Sequence, residues 1–342
     1  MSEEIFYNSV NLAVDSNYKK LADLRNKFGS WERSWLDVKK VGLATDPENS
    51  WESLNKLGIK LYLDNSPEYP PSLKEIPFSP FGIYVLGKMP KDKINLGIVG
   101  TRKATYEGKE LAKQFAAELS RAGICIVSGL ALGIDAAAHE GCLEAGGTTV
   151  AVLGNGLDYF YPRTNERLAK KILDGGGAII SEYPPGVQPL PYRFLERNRI
   201  VSGLSRGVLV IEAPKESGSL VTASLALDQN RDVFVLPGPV SHPNFSGSHQ
   251  LIRRGAMLIT STEEILEDLG VEAKEEMPTS EIAKTDTEQK IFAALKKFSA
   301  PATIDKILEL TNLNISDVNQ AITFLLLKDI IQETSQGYTL NK

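Results

Sequence analysis

Between Leu96 and Asp268 the chain alternates short apolar runs with segments of helical periodicity, and this restricts the fold more than any other feature. The apolar runs fall at 96–99, 124–128, 149–153, 178–181, 207–211, 233–236 and 256–259. The helical segments fall at 107–121, 134–145, 164–173, 193–203, 219–229, 247–254 and 262–268. Runs such as ICIV, VAVL, VLVI and VFVL are apolar at consecutive positions rather than alternate ones. Strands of that kind are buried on both faces, the condition of a parallel sheet covered by helices. The pattern predicts an α/β fold, a doubly wound parallel sheet that takes its ligands outside the carboxyl ends of the strands. A further short strand is predicted at 83–86.

Small or polar residues close almost every predicted strand. Gly100, Thr101 and Arg102 follow the first, Ser128 and Gly129 the second, and Gly154, Asn155 and Gly156 the third. Ser181 and Glu182 come next, then Glu212 with Ser217, Gly218 and Ser219, then Pro237 and Gly238. A single ligand loop needs glycine at one or two strand ends, so this distribution predicts an extended binding edge. At its start, GIVGTRKATYEG (97–108) reads as a strand turning sharply into a helix. Such a turn offers backbone N–H groups and the helix dipole to an anion, and Arg102 and Lys103 add full charge. Neither common phosphate motif is present. Glu110 follows Gly108 and Lys109, which excludes a Walker A loop, and the GxG of Gly154 and Gly156 is followed by Tyr159 where a dinucleotide fingerprint has glycine.

The flanks read differently. Residues 2 to about 60 show helical spacing, with Gly29 and Gly58 as stops and three tryptophans at packing positions. Five prolines between Asp64 and Pro80 mark a boundary wrapped along the next domain. Residues 271–285 are charged and poor in apolar side chains and read as a linker. Beyond it, helices at 288–298, 304–310 and 315–328 and a hairpin at 330–340 around Gln336 and Gly337 predict a winged helix. Its recognition helix, 315–328, carries Lys328 as its one cation, so protein contact is at least as well served as DNA contact.

Composition narrows the function classes. The 342 residues hold 38 Lys and Arg against 43 Asp and Glu, a net charge of −5, which argues against bulk attraction to polyanions but leaves room for a local basic groove. No apolar run is long enough to span a bilayer and no signal-peptide pattern opens the chain, so a cytoplasmic location without membrane contact is expected. Cys125 and Cys142 make neither a metal spacing nor a disulfide framework. No metal or cofactor is expected. Asp135 and His139, four apart on a helix, form a candidate acid–base pair whose commoner role is a structural hydrogen bond. There is no convincing nucleophile. Cations at 102, 103, 163, 167, 197, 199 and 206, interleaved with Tyr106, Tyr159, Phe160, Tyr161, Tyr192 and Phe194, suit a single nucleic-acid strand, whose phosphates pair with cations while its bases stack on rings.

The runs GIVGTRKAT (97–105), VSGLALGIDAAAHEGCLEAGGTTVAVLGNGLDYFYPRTN (127–165), SEYPPG (181–186), FLERNRIVSGLSRGVLVIEA (194–213), SGSLVTASLA (217–226) and DVFVLPG (232–238) resemble the DNA-processing protein A (DprA, or Smf) family over about residues 64–270. The resemblance implies an extended Rossmann domain at 64–270 that binds single-stranded DNA without catalysis. It also implies protection of incoming strands in natural transformation, loading of the RecA recombinase, and a homodimer formed through the Rossmann domain. Family layouts place a helical domain (SAM-like or helix-hairpin-helix-like) at 1–63 and a winged helix at 286–342. The arginine of the family's GxR turn, a phosphate contact, is matched by Arg102. The basic residue after its YP pair is matched by Arg163, where lysine is common. Gly100, Thr101, Ser128, Gly129, Gly154 and Gly156 would allow close backbone approach. Asn165, Asn198, Arg199, Ser217, Gly218 and Ser219 match family motifs and complete the candidate DNA-binding set. The alternative is a small-nucleotide-binding enzyme or sensor, with Asp135, His139 or Glu212 in its chemistry. Leu251, Ile252, Met257, Leu258 and Ile259 are candidates for a dimer surface, although core packing explains them equally.

Overall fold

The structure, a computed structural model, describes residues 2–43, 46–91, 93–271, 285–296, 301–328, 330–334 and 337–340. It divides into two compact units, residues 1–272 and 273–342.

The larger unit is built on a nine-stranded sheet, and the apolar runs supply its centre. In chain order the strands are β1 (Lys60–Leu63), β2 (Gly82–Gly87), β3 (Asn95–Val99), β4 (Cys125–Ser128), β5 (Thr149–Leu153), β6 (Ala178–Ser181), β7 (Gly207–Val210), β8 (Asp232–Val235) and β9 (Met257–Leu258). Their order in space is β1-β2-β6-β5-β4-β3-β7-β8-β9. From β6 to β9 every pairing is parallel. The sheet is not parallel throughout, because β1 and β2 extend one edge in antiparallel sense, with Tyr62 opposite Ile83 and Val85 opposite Ile180. Residues 60–63 close the predicted helical region yet form a strand. Leu61 and Leu63 bury their side chains while Lys60 stays exposed, the alternation of a half-covered edge strand.

Helices cover both faces. The crossover helices are α6 (Tyr106–Arg121), α7 (Ile134–Glu144), α8 (Glu166–Asp174), α9 (Pro191–Leu204) and α10 (Gly218–Asp228), followed by α11 (Ser246–Arg253) and α12 (Thr262–Asp268). α6, α7 and α12 pack on one face around Leu96, Ile98, Phe115 and Ile126. α9, α10 and α11 pack on the other around Val127, Val152, Val201 and Val210, with the short α5 (Pro71–Lys74). Cys125 and Cys142 are buried in these two different clusters. Leu251 and Ala256 join the second cluster and Ile259 the first, so only part of the 251–259 segment remains outside the core; Leu258 is exposed.

The N-terminal helices α1 (Glu3–Ala13), α2 (Tyr18–Phe28), α3 (Trp31–Lys40) and α4 (Pro47–Lys56) share a core with the sheet. Phe6, Val10 and Trp31 belong to one cluster with Leu61, Tyr84, Leu153 and Ile179. The Tyr7 ring lies where a side chain on Gly82 would sit, 2.8 Å from its ideal Cβ. Residues 1–63 are thus a layer of the larger unit.

The smaller unit has helices Asp286–Lys296, Ile304–Thr311 and Ile315–Leu327 and a hairpin of Ile331–Thr334 with Gly337–Leu340. Ala302 bridges to Tyr338 at the hairpin's edge. Ile291, Ile307, Val318, Ile322 and Ile331 form its core. Most of the predicted linker, the end of the first predicted helix and Gln336 lie outside the described residues.

Candidate nucleic-acid interface

The chain leaves β3 for α6 toward one side of the sheet and returns through α9 to place β7 on the other side of β3. At such a reversal the connecting loops diverge and open a crevice. Here it is a cleft of about 420 Å³ bounded by the loop after β3, the loop after β4, one face of α9 and the start of α10.

The loop after β3 is fixed from beneath. Gly100 packs against α7, since a Cβ there would lie 2.5 Å from Ile134 Cγ1. Thr101 N–H donates to the Glu212 carbonyl (2.7 Å) and Lys103 N–H to Thr101 Oγ1 (3.2 Å). The start of α6 does not offer its amides to an incoming anion, as the sequence suggested, because a carboxylate already sits there. Buried Glu212 accepts from Thr105 N–H (3.0 Å), from the Thr105 hydroxyl and from Asn244 Nδ2 (2.8 Å). Thr105 Oγ1 in turn caps Gly108 N–H at 2.9 Å. Gly108 is required, since any Cβ would lie 2.4 Å from Glu212 Oε1. Arg102 and Lys103 remain exposed on the cleft wall.

Across the cleft, α10 begins with Ser217 as N-cap and no acidic residue in its first turn. Ser217 Oγ lies 2.7 Å from Ser219 Oγ and accepts from Ser219 N–H (3.3 Å). Nothing lies within 4 Å of a Cβ built on Gly218, so a phosphate can approach the backbone there. Asn198 Nδ2 donates to the Gly218 carbonyl (3.3 Å) and ties α9 to this turn.

Arg197 forms the floor. Its buried guanidinium donates to the carbonyls of Gly129 (2.8 Å) and Val152. Burial lowers its pKa to about 10, opposed by the nearby Asp135 carboxylate, so it stays charged at neutral pH. Asp135 accepts from Gly129 N–H at 3.0 Å, and its pKa is raised by burial against the pull of Arg197. The predicted Asp135–His139 pair does not form. Thr149 Oγ1 donates to the Ile126 carbonyl (2.7 Å) and therefore accepts from His139 Nδ1–H (2.7 Å). His139 Nε2 is left buried without a partner, and burial lowers the ring's pKa to about 3.

Rings line the rim. The Arg102 guanidinium lies 5.4 Å from the Phe194 ring centroid, and Phe194 stacks on Tyr161 with centroids 5.5 Å apart. They border a smaller hollow of about 70 Å³ together with Leu132 and Pro162. Arg163 is exposed at the turn that follows. Asn165 Nδ2 fastens that turn to the carbonyls of Leu130 (2.9 Å) and Ala131 (3.2 Å).

Of the candidate DNA-binding residues, Gly100, Thr101, Arg102 and Gly129 line the main cleft with Asn198, Ser217, Gly218 and Ser219. Others lie elsewhere. Ser128 is fully buried and donates to the Ile98 carbonyl at 2.6 Å. Gly154 backs Phe194, 2.9 Å from its ideal Cβ, and Gly156 abuts the Pro184 carbonyl. Arg199 projects from the other side of α9, where both its terminal nitrogens hold Glu182 (2.7 and 2.6 Å) and Nε–H donates to Phe78 O (3.0 Å). Arg206 pairs its amide with Asn95 O at the amino end of β7, so its charge lies at the opposite edge from the cleft. Thr105 and Asn244 were not singled out from the sequence, and Glu212 was weighed only for chemistry. The signal for Glu212 was a carboxylate ending an apolar run, VLVIE, where burial demands hydrogen-bond donors.

No helix among the described residues is long and apolar enough to cross a membrane. A profile of the family described as DNA recombination-mediator protein A matches residues 60–270. Protein Smf of Escherichia coli (strain K12) is 48% identical over 202 residues, 59% of this chain and 54% of that protein. The chain thus spans about half the length of the curated relatives it matches first. The X-ray structure of DprA from Streptococcus pneumoniae superposes with a TM-score of 0.64 at 31% identity, covering 78% of this chain and 98% of that one. DNA processing protein A from Helicobacter pylori, described for its single-stranded DNA binding mode, gives a TM-score of 0.55 at 30% identity over 62% of this chain and 95% of that one. These likenesses do not favour the nucleotide-sensing enzyme. With the profile matching more than half of its length, the chain belongs to the DNA recombination-mediator protein A family, whose members are DNA-binding mediators rather than catalysts.

Proposed function

We propose that the cleft between β3 and β7 holds single-stranded DNA and that the protein acts on it as a recombination mediator without chemistry. The observation that carries this reading is the composition of the cleft's walls. Exposed Arg102 and Lys103 face the acid-free first turn of α10, and the aromatic rim of Phe194 and Tyr161 adjoins them. Cations hold phosphates and rings take bases, the pairing that a single strand requires. Arg163, exposed beyond the rim, extends the charged track. The H. pylori relative, described for its single-stranded DNA binding mode, supports the same ligand here. In the fuller reading the protein is cytoplasmic, protects incoming strands during natural transformation and loads RecA on them. It works as a homodimer through the Rossmann region, and residues 286–342 serve as a winged helix.

The test is a gel-shift series with oligothymidine across salt concentrations. Each phosphate contact to a single strand contributes about 0.7 to the slope of log K against log salt. Arg102→Ala with Arg163→Ala should reduce that slope by about 1.4. An unchanged slope and affinity would remove these residues from the interface. The mediator role is read separately, as RecA-driven strand exchange on DNA precoated with single-strand binding protein.

A further inference from the structure

A second cleft, of about 450 Å³, opens on the side of α9 away from the first. Its other wall is the turn from α1 into α2, residues 14–20, with Phe78 at the edge. Two of its three acids are ion-paired in place. Asp15 pairs with Arg193 (2.8 Å), Glu182 with Arg199 (2.6 Å), and Glu196 accepts from the Tyr183 hydroxyl (2.7 Å). Lys19 and Lys20 are exposed and make no ion pair among the described residues. They occupy the first turn of α2, which has no acidic residue, so two cations sit at the positive end of a helix dipole. That arrangement is unfavourable until an anion joins it. The first turn of α9, on the facing wall, also lacks an acid; it has no side-chain cap, whereas Asn17 Oδ1 accepts from Lys20 N–H (3.0 Å) at the start of α2.

Rings complete the cleft. Phe78 is 66% exposed and Tyr192 48%, so both rings present free surface to the cleft. Tyr18 meets Phe78 edge-on at 5.5 Å. The Ser16 hydroxyl is buried and has no partner. Asp15, Ser16 and Phe78 all have positive φ, three of the six such non-glycine residues among those described, and all three line this cleft. Backbone held in that region gathers at ligand sites, where the surrounding structure enforces it.

We infer that the cleft between the α1–α2 turn and α9 is a second nucleotide subsite, taking a base against Phe78, Tyr18 and Tyr192 and its phosphate at Lys19 and Lys20. It gives the N-terminal helices a part in ligand binding. The inference rests on the strand-binding reading of the first cleft, because Tyr192 and Phe194 lie two residues apart on α9 and open onto different clefts. The shared chemistry is an aromatic base with a phosphate, supplied by the continuing strand or by a free nucleotide.

The experiment uses the full chain with Lys19→Ala and Lys20→Ala together, and separately Tyr192→Ala, all exposed positions. Affinity is measured across salt for oligothymidines of about 4 and about 16 nucleotides, the range of single-strand site sizes. If the strand continues into the second cleft, the lysine variant loses about 1.4 in salt slope with the long oligonucleotide and nothing with the short one. Thymidine monophosphate is titrated in parallel. Its binding to the wild type and loss in Tyr192→Ala, with oligonucleotide binding unchanged, assigns the subsite to a free nucleotide. Unaltered long-strand binding in both variants, with no monophosphate binding, overturns the proposal. A wild type that binds neither oligonucleotide overturns the first cleft's reading instead, and the monophosphate titration then decides the second alone.

Discussion

His139 links folding of the larger unit to pH, and the size of the link follows from its surroundings. Its Nδ1–H is committed to Thr149, so a second proton must enter at Nε2, which is buried and faces no acceptor. The ring's pKa is lowered from the ordinary 6.5 to about 3 by burial, with Arg197 adding to the effect. Below pH 6.5 the unfolded chain therefore binds a proton that the folded chain refuses. Stability falls as pH drops through the unfolded value and levels off only near the folded one. Linkage puts the loss at about 2 kcal/mol between pH 7 and pH 5 and at about 3 kcal/mol by pH 4. The comparison variant is His139→Leu, which removes the titration and also the bond to Thr149. It should be less stable than the wild type at pH 7, and its stability should decline less steeply with acid. Urea unfolding at pH 7, 6, 5 and 4, followed by the fluorescence of Trp31, Trp35 and Trp51, gives both curves. Parallel curves for the two proteins between pH 7 and pH 5 would refute the argument, since they would mean that the ring is charged or solvated in the folded state.

Two more perturbations separate structural from ligand-binding charge. Glu212→Ala leaves Thr105 N–H, the Thr105 hydroxyl and Asn244 Nδ2 without their acceptor, at about 1–3 kcal/mol for each group that stays unsatisfied. It also uncovers the start of α6, so sodium sulfate should raise the variant's melting temperature more than the wild type's at matched ionic strength; equal responses would show that the site stays closed. Arg199→Leu strands the Glu182 carboxylate in a buried position and should lower stability by about 3–5 kcal/mol in denaturant titration. Its salt slope for the short oligothymidine, which stays in the first cleft, should remain that of the wild type, and a reduced slope would return Arg199 to the first cleft's interface.

The centre of the sheet was legible because doubly covered strands need apolar side chains at every position, as in ICIV and VLVI. The edge was not. β1 has four residues, and its pairing is set by β2, which begins 19 positions further on. The candidate cleft was legible as glycine and hydroxyl residues at strand ends, which the topology then gathered at one crevice. What the linear reading blurred was direction. Arg197 and Arg199 stand two apart in ERNR and look like one basic cluster, yet two helical steps turn a side chain by about 200°. One forms the floor of the first cleft, and the other is locked to Glu182 beside the second. The α6 start misled for another reason. Sequence shows the strand, the turn and the cations, but the carboxylate that fills the turn comes from 107 residues along the chain.

That carboxylate bears on how firmly a strand can be held. A helix start with free amides is a ready-made phosphate site, because its N–H groups and dipole are fixed in place. At the start of α6 that grip is shut by Glu212 from within, so on that wall of the cleft a nucleic acid depends on exposed arginine and lysine heads and on stacking, while the α10 turn at Gly218 stays open opposite. Contacts of that kind form and break one at a time. On the strand-binding reading proposed above, a strand held so would be released by local peeling, and a second protein advancing along the DNA would displace it phosphate by phosphate.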